Sequence, residues 1–279
     1  MPVPPDVAFG TSAIEVDFSP TQNTNLFMCQ EGVIVANVRN RGTFDIQGGI
    51  QSFILEDQIL SAVDKKVRPL TLDGRSKFNP EGGISQISFR VKNSGLPQQL
   101  ESYSTPIVYQ ACYPYETYAS ATVCVDPDVR NLNPSKVCRS QSVSVGGTGA
   151  PVVVSRVEPV MVPEGSVVVP SFILYVQNQG SGKVVSSELV QGACASGSER
   201  LKSIVGVRAD LQGEELQCSP SSVNLEPGRE AKVMCKSSSY VGAELGTFST
   251  LLHVTLDYGY VTTGTLPLTI TRLPNQQGC

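Results

Sequence analysis

The sequence predicts an all-β protein built from two tandem β-sandwiches that disulfide bonds stabilise. Three observations support this fold class. Short runs rich in Val, Ile, Thr, Tyr and Phe alternate with turn signals, a weak repeat runs along the chain, and eight cysteines are widely spaced. With 279 residues, of which 40% are hydrophobic, each of two units can bury a core of its own.

The internal repeat consists of three matches that occur in the same order. The first pairs GVIVANVRNRG (32–42) with SFILYVQNQG (171–180), the second GGISQISFRVKNS (82–94) with GREAKVMCKSS (228–238), and the third PYETYASATVCV (114–125) with DYGYVTTGTLPL (257–268). The third match places Tyr115 over Tyr258, an offset of 143 residues. Ordered matches of this kind indicate a duplicated unit of about 140 residues.

The repeat defines the expected domain boundaries. We expect an N-terminal sandwich with an N-terminal arm at 1–127, a linker at 128–150 and a C-terminal sandwich at 151–279. The linker is rich in Pro, Asn, Ser and Gly and carries one short strand pattern, QSVSV (141–145). Only SFILEDQILSAVDKK (52–66) has a pattern that also fits a helix, and its assignment stays open.

The stretch YQACYPYETYASATVC (109–124) is interpreted as a β-hairpin centred on Tyr118. In that register Cys112 lies opposite Cys124. The core face then carries alternate residues of both strands, namely Ile107, Tyr109, Ala111, Tyr113, Ala121, Val123 and Val125. Opposed strand residues lie within disulfide range, so we predict a bond between Cys112 and Cys124.

The other six cysteines suggest further pairings. Cys218 and Cys235 flank an EPG turn, which predicts that they meet across neighbouring strands. A bond between Cys138 and Cys194 would tie the linker to the second sandwich. Cys29 and Cys279 are compatible with free thiols, with a bond to each other, or with a bond between molecules. Disulfides form in oxidising compartments, so we expect an extracellular or cell-surface protein.

Three features are weighed as chemical sites. His253 is interpreted as a surface histidine rather than a base, because the repeat places it over Gln110 on a polar strand face. GGTG (146–149) lacks the strand, helix and lysine of a phosphate loop. Asp126, Asp128 and Glu116 suit calcium chemically, but a solvated turn is the favoured interpretation. We predict no catalytic residues, no metal site and no cofactor.

Charge and hydropathy limit the partners. The net charge of −4 is spread without blocks, which argues against nucleic acid and anionic membrane surfaces. The most apolar stretch, APVVVSRVEPVMVPEGSVVVP (150–170), is interrupted by charges and prolines, so we expect no membrane span in this chain. The first residues, MPVPPDVAFGTS, have no signal-peptide pattern, and we expect the natural start or an anchor to lie outside the chain.

Several phrases resemble a known family. VRNRG and VQNQG each end a hydrophobic strand and are followed by YPYETYASATVCVDPD (113–128) and LDYGYVTTGTLPLTI (256–270). These phrases resemble the immunoglobulin-like and cell-adhesion-related (CARDB-like) repeat domains of archaeal cell-surface or filament proteins. The resemblance implies a tandem β-sandwich fold and a structural role at the cell surface, with no catalytic residues to transfer.

These expectations combine into one functional hypothesis. We expect a non-enzymatic extracellular structural protein, a subunit of a surface filament, sheath or adhesin stalk, that associates with itself or with other surface proteins. The Pro-rich arm at 1–9 is expected to dock on a neighbouring subunit. The alternative is a binding module that contacts a glycan or a partner protein through Tyr118 at the hairpin tip and its counterpart near Val261.

Overall fold

The computed structural model describes residues 9–196, 202–274, 276 and 279. The described part of the chain is nearly all β, with 57% of its residues in strands and one short α-helix, α1 (Val190–Ser196). The strands are β1 (Ile14–Phe18), β2 (Asn25–Phe27), β3 (Glu31–Asn40), β4 (Ile46–Ile54), β5 (Leu60–Ala62), β6 (Val67–Leu72), β7 (Ile84–Asn93), β8 (Ser102–Val125), β9 (Val143–Ser144), β10 (Val152–Glu164), β11 (Val167–Asn178), β12 (Lys183–Val185), β13 (Ile204–Leu211), β14 (Glu214–Glu215), β15 (Gln217–Ser219), β16 (Ser222–Asn224), β17 (Glu230–Lys236), β18 (Val241–Gly242) and β19 (Phe248–Thr271).

The strands form one large central sheet and two smaller outer sheets. The central sheet has the order β14-β13-β19-β8-β4-β6, with β2 and β12 beside β19 and β16 beside β13. The first outer sheet has the order β1-β3-β7-β5. The second has the order β15-β17-β11-β10-β9, with β18 beside β11. The all-β prediction is therefore confirmed.

The central sheet is organised by two long strands, β8 and β19. They pair antiparallel over 24 residues each, from Ser102 opposite Thr271 to Val125 opposite Phe248. At about 3.3 Å per residue the ladder is roughly 80 Å long. Every odd-numbered residue of β8 from Thr105 to Val125 is buried, because side chains alternate and one whole face of the strand points to the core.

The predicted hairpin at 107–125 is wrong. Residues 102–125 form one uninterrupted strand, and Tyr118 lies within it rather than at a turn. Cys112 faces Val261 of β19, and Cys124 faces Ser249. The predicted core face is nevertheless confirmed, because alternation along a single strand gives the same set of inward residues as the hairpin register.

Matched hydrogen bonds recur in the two halves of the ladder. The backbone N–H of Ile14, which begins β1, donates to Tyr113 Oη at 3.2 Å, and that of Val152, which begins β10, donates to Tyr258 Oη at 3.4 Å. Tyr113 therefore corresponds to Tyr258, an offset of 145 residues. The sequence alignment, which set Tyr115 over Tyr258, was wrong by two residues at this strand.

The asparagines of the phrases VRNRG and VQNQG, Asn40 and Asn178, each hold the turn that follows a strand. Asn40 Nδ2 donates to the Phe44 carbonyl at 2.8 Å, and Asn178 Nδ2 donates to the Gly182 carbonyl at 2.9 Å. The oxygens of the same two amides accept from the N–H groups two residues further on, at 3.0 and 3.1 Å. Each asparagine thus satisfies backbone groups on both sides of a turn.

Both ends of the ladder lie against segments that are distant in sequence. In the first half, Gln276 Nε2 donates to the Met28 carbonyl at 3.2 Å, and Arg272 Nη2 donates to the Leu96 carbonyl at 2.8 Å. In the second half, Thr117 Oγ1 donates to the Val152 carbonyl at 2.6 Å. Each of the two long strands, β8 and β19, therefore packs against segments from both the first and the second half of the chain. The boundaries expected from the sequence stay predictions, while one buried apolar cluster runs through both halves.

Two local predictions have different outcomes. The segment 52–66 contains no helix, since Ser52–Ile54 end β4 and Leu60–Ala62 form β5, which pairs with β7. Glu56 lies in the turn between them, where its carboxylate accepts hydrogen bonds from Tyr103 and Thr105. The short strand expected in QSVSV is present as β9, which pairs with β10.

Candidate functional site

Four disulfide bonds close the chain on itself, and two of them differ from the predicted pairings. Cys112 is bonded to Cys194 on α1 rather than to Cys124, and Cys124 is bonded to Cys138 in the linker. Both predicted bonds, Cys112–Cys124 and Cys138–Cys194, are wrong because they depended on the hairpin. The remaining pairs are Cys218–Cys235, as the EPG turn predicts, and Cys29–Cys279, one of the three possibilities left open.

The seam between the two outer sheets is built around four tyrosines. Tyr113, Tyr115, Tyr258 and Tyr260 all face the core, and neighbouring ring centroids lie 5.9–6.2 Å apart. Burial raises the pKa of each phenol, so the hydroxyls stay protonated. Their oxygens accept backbone N–H groups where the outer strands and turns begin. This cluster positions the sheets and is closed to solvent.

The opposite face of the ladder is partly open, and its middle is covered by α1. The Cys112–Cys194 bond holds α1 there, and Val190 lies so close to Gly259 that a Cβ on Gly259 would come within 2.5 Å of it. Beyond α1, in the second half of the ladder, the even residues of β8 and the odd residues of β19 form a face that we call the outer face. Its members are Glu116, Tyr118, Ser120, Thr122, Leu251, His253, Thr255 and Asp257.

Tyr118 is the most exposed aromatic side chain of the outer face. About half of it is accessible, and its ring lies 6.5 Å from that of Phe44. Its hydroxyl donates to the Glu116 carboxylate. That hydrogen bond, together with partial burial and the nearby negative charge, raises the pKa of Tyr118 to about 12. Tyr118 is therefore an amphipathic contact residue on a flat sheet, and not at the tip of a hairpin.

A groove of about 430 Å³ runs along this part of the outer face. Glu116 and Asp257, which lie directly opposite each other in the ladder, contribute two carboxylates to it. Like charges in this arrangement repel. Ser187 Oγ donates to Asp257 at 2.9 Å, and Tyr118 donates to Glu116, so each carboxylate is also hydrogen-bonded. Chemically the groove offers an aromatic surface beside negative charge, which suits polar or cationic groups.

His253 also lies on the outer face, and its closest partner is Ser120. The Ser120 Oγ atom is 2.8 Å from His253 Nδ1 across the two strands. Asp210 is opposite His253 on the other side, but its Oδ1 atom accepts from the backbone of Gly213. A serine nucleophile also needs an oriented base and an oxyanion-binding group. The placement of His253 on a strand face is the one that the repeat predicted.

The acidic turn after β8 contains a group that the sequence analysis missed. Lys136 Nζ lies 2.6 Å from Asp126 Oδ2 and 2.8 Å from both the Asp128 carbonyl and Asn131 Oδ1. The ammonium group thus lies among the oxygens of Asp126 and Asp128, two of the three candidate calcium ligands, whereas the third, Glu116, lies on the outer face of β8. Burial would lower the pKa of Lys136, but the bonds and charges of Asp126 and Asp128 outweigh it and raise that pKa.

Among the described residues, no three His, Cys, Asp or Glu side chains are grouped so that they could hold a metal ion. No helix in the described ranges has the length and apolar character needed to cross a membrane.

Comparison with known proteins gives no assignment. No protein-family model matches the chain. A search of curated proteins finds no significant relative. The resemblance to archaeal surface repeats therefore stays a sequence-based hypothesis.

Proposed function

We propose that the chain is a non-enzymatic extracellular structural protein that serves as a subunit of a cell-surface filament, sheath or adhesin stalk. The observation that supports this most directly is the central ladder, roughly 80 Å long, whose ends are both closed by disulfide bonds. Cys29–Cys279 joins residues near the two ends of the sequence. Cys124–Cys138 fastens the linker at the other end of the ladder.

Covalent closure suits a protein that works outside the cell. Disulfides persist in oxidising compartments and raise stability by restricting the unfolded chain. For the 250-residue separation of Cys29 and Cys279, chain-entropy estimates give on the order of 5 kcal/mol. A continuous sheet with bonded ends resists bending and local opening, which are the demands on a stalk or filament subunit. Two tandem immunoglobulin-like units, duplicated and then joined through β8 and β19, are our interpretation of this architecture.

Electron microscopy of the purified protein tests the proposal. The proposal predicts fibres or a lattice built from elongated particles, formed by the oxidised full chain. Separate, compact particles at every protein concentration and ionic strength would contradict a filament role. The same preparation after removal of 1–9 tests the predicted arm, of which only Phe9 falls among the described residues. The proposal predicts folded protein with weakened assembly.

A second candidate function is recognition of a glycan or a partner protein, and the groove beside Tyr118 favours it. Phe44 and Tyr118 supply aromatic area next to the Glu116 and Asp257 carboxylates. A Tyr118→Ala variant separates the two functions. Loss of binding on a glycan array or to a surface extract, with intact assembly, would support recognition. Unchanged binding by the variant would remove Tyr118 from that role.

A further inference from the structure

The second half of β8 is an open sheet edge. β4 pairs with β8 only from Val108 to Cys112, and no strand in the described ranges lies beside β8 from Tyr113 to Val125 on the side away from β19. An unpaired edge presents a row of N–H and C=O groups that can accept another strand. We call residues 116–124 of β8 the open edge.

The ladder hydrogen bonds show which residues of β8 point to this edge. The Phe53 N–H donates to the Lys66 carbonyl of the neighbouring strand, so the odd residues of β4 face β6. The even residues of β4 therefore face β8, where their partners are also even-numbered. The same parity continues along β8. Consequently the backbone groups of Glu116, Tyr118, Ser120, Thr122 and Cys124 point away from β19.

None of these backbone groups has a hydrogen-bond partner within the described part of the chain. The side chains of Tyr118, Ser120 and Thr122 are exposed as well. The backbone of the open edge is therefore available to solvent or to a partner strand. Unlike a turn, it is held straight by its pairing with β19, so an incoming strand would meet a preformed template.

Other edges of the same molecule carry prolines at outward backbone positions, and the open edge does not. The segment 43–47 lies beside the Glu116–Tyr118 end of the open edge, with the Phe44 ring 6.5 Å from that of Tyr118. Along β10 the outward backbone positions are odd, since the Ser155 carbonyl accepts from Val145 on that side. Two of the following odd positions are Pro159 and Pro163, which have no N–H to donate. Pro69 occupies an outward position of β6 in the same way. The open edge carries no proline or lysine between Glu116 and Cys124.

The two halves of the molecule also differ at this position. The residues of β19 that correspond to the open edge lie at 261–269 by the offset of 145. That part of β19 is flanked by β12 at Val261 and by β2 at Thr269. In the second half, the described residues supply no equivalent of β2. The edge of β19 thus has a neighbouring strand at each end of this stretch, whereas the matching edge of β8 has none among the described residues.

We propose that a second copy of this chain completes the open edge, with β8 of each copy pairing antiparallel across a twofold axis at Ser120. The strand is complementary to itself in this register. Tyr118 of one copy faces Thr122 of the other, a pairing of aromatic and β-branched side chains that sheets favour. Glu116 faces the disulfide-bonded Cys124, so no two like charges are opposed. All five outward residues take part, which gives about ten backbone hydrogen bonds.

A precedent for this pairing exists inside the chain. β8 and β19 are equivalent strands of the two repeats, and they already pair antiparallel through their other edges. The proposed contact extends the central sheet from one copy into the next. A twofold contact closes on itself, so it forms a dimer from which a longer assembly needs a second contact. The inference rests on the proposed structural function and specifies its first assembly step.

The test compares Ser120→Pro with Ser120→Ala in the full oxidised chain. Proline removes the outward N–H of Ser120 and should leave the fold intact, because prolines are tolerated where the N–H faces solvent. Alanine removes only the hydroxyl. Analytical ultracentrifugation over a wide concentration range should show that wild type and Ser120→Ala dimerise. The dissociation constant of Ser120→Pro should rise by at least about tenfold.

Two cysteine variants test the register and do not depend on the proline variant. Under mild oxidation, Ser120→Cys should form a covalent dimer quickly, since facing residues lie within disulfide range. Thr122→Cys should not, because Thr122 faces Tyr118 of the other copy. Unchanged association of a folded Ser120→Pro, or equal cross-linking of both cysteine variants, would overturn the open-edge dimer. Filaments that form despite that result would leave the proposed function standing, whereas a wild-type monomer at every concentration would overturn both.

Discussion

Tyr113 and Tyr258 occupy equivalent positions in the two halves of the molecule and make the same pair of hydrogen bonds. Each phenol accepts the first N–H of an outer-sheet strand, and each lies 2.9 Å from a threonine hydroxyl, Thr262 for Tyr113 and Thr117 for Tyr258. Because both tyrosines are fully buried, their hydroxyls cannot exchange these partners for water. The two outer sheets are thus fixed to the ladder by matched polar contacts.

Replacing either tyrosine by phenylalanine should therefore destabilise the protein. Tyr113→Phe leaves the Ile14 N–H buried without an acceptor, and Tyr258→Phe does the same for Val152, at a cost of about 1–3 kcal/mol each. Chemical denaturation measures the loss. Tyr118→Phe is the matched control, since its hydroxyl is on the surface and its removal should change stability by less than about 0.5 kcal/mol. An equal loss in the free energy of unfolding for Tyr113→Phe, Tyr258→Phe and Tyr118→Phe would contradict the structural role of the two buried hydroxyls.

Alkaline unfolding should be steep. Burial raises the pKa values of Tyr109 and of the four seam tyrosines above their usual value. A raised folded-state pKa contributes stability that is complete below the unfolded value near pH 10 and is lost as the pH rises above it. Each buried tyrosine then removes about 1.4 kcal/mol per pH unit. Phenolate absorbance and circular dichroism should change together. Full titration of all nine tyrosines in a native protein would contradict their burial.

The turn after β8 should respond to calcium only when Lys136 is removed. In the wild type the ammonium group fills the space among the Asp126 and Asp128 oxygens, so calcium should leave the melting temperature unchanged. Lys136→Ala should melt at a lower temperature, because two carboxylates lose their counter-charge. Calcium should partly restore it, since carboxylate and amide oxygens suit that ion. Lys136→Arg is the control that keeps the charge. An equal rise in the melting temperature of wild type and Lys136→Ala on addition of calcium would contradict this assignment.

The Cys29–Cys279 bond should limit how far the chain extends under a pulling force. When force is applied between the ends of the chain, the bond carries it past everything between Cys29 and Cys279. Single-molecule stretching from Phe9 should release on the order of 7 nm of chain in the oxidised protein and on the order of 60 nm after this bond alone is removed, because Cys112–Cys194 and Cys218–Cys235 still hold their loops out of the extended chain. Cys218→Ser with Cys235→Ser is the control that keeps the short path. Long extension of the oxidised protein would show that the bond is not formed.

The sequence predicted the strands better than their connections. Alternation placed the inward residues of β8 correctly, because it depends only on strand parity. The hairpin prediction is wrong because it relies on two cysteines at a plausible spacing, although 109–124 contains no Gly, Asn or Asp to form a tight turn. Alternation continuing through Tyr115, Thr117 and Ala119 was the signal for one long strand.

The candidate site was harder to predict than the fold. Tyr118 and His253 were singled out, but their place on one open sheet face depends on how β8 pairs with β19. The partner of Cys112 lies 82 residues away on a short helix, which spacing alone does not reveal. Lys136 was missed because it follows the acidic turn by several residues and meets Asp126 only through the fold of the turn. In all three cases the surroundings of the residue depend on contacts that only the folded chain makes.

Separate expression of 1–150 and 151–279 tests the central claim that the two halves are one interlocked unit. Each half lacks a long strand that packs in its core, and the first half also lacks the Cys279 partner of Cys29. We predict that neither half unfolds cooperatively on its own by circular dichroism and that the mixed halves regain a cooperative transition. Cooperative unfolding of either half in isolation would contradict the interlocked ladder.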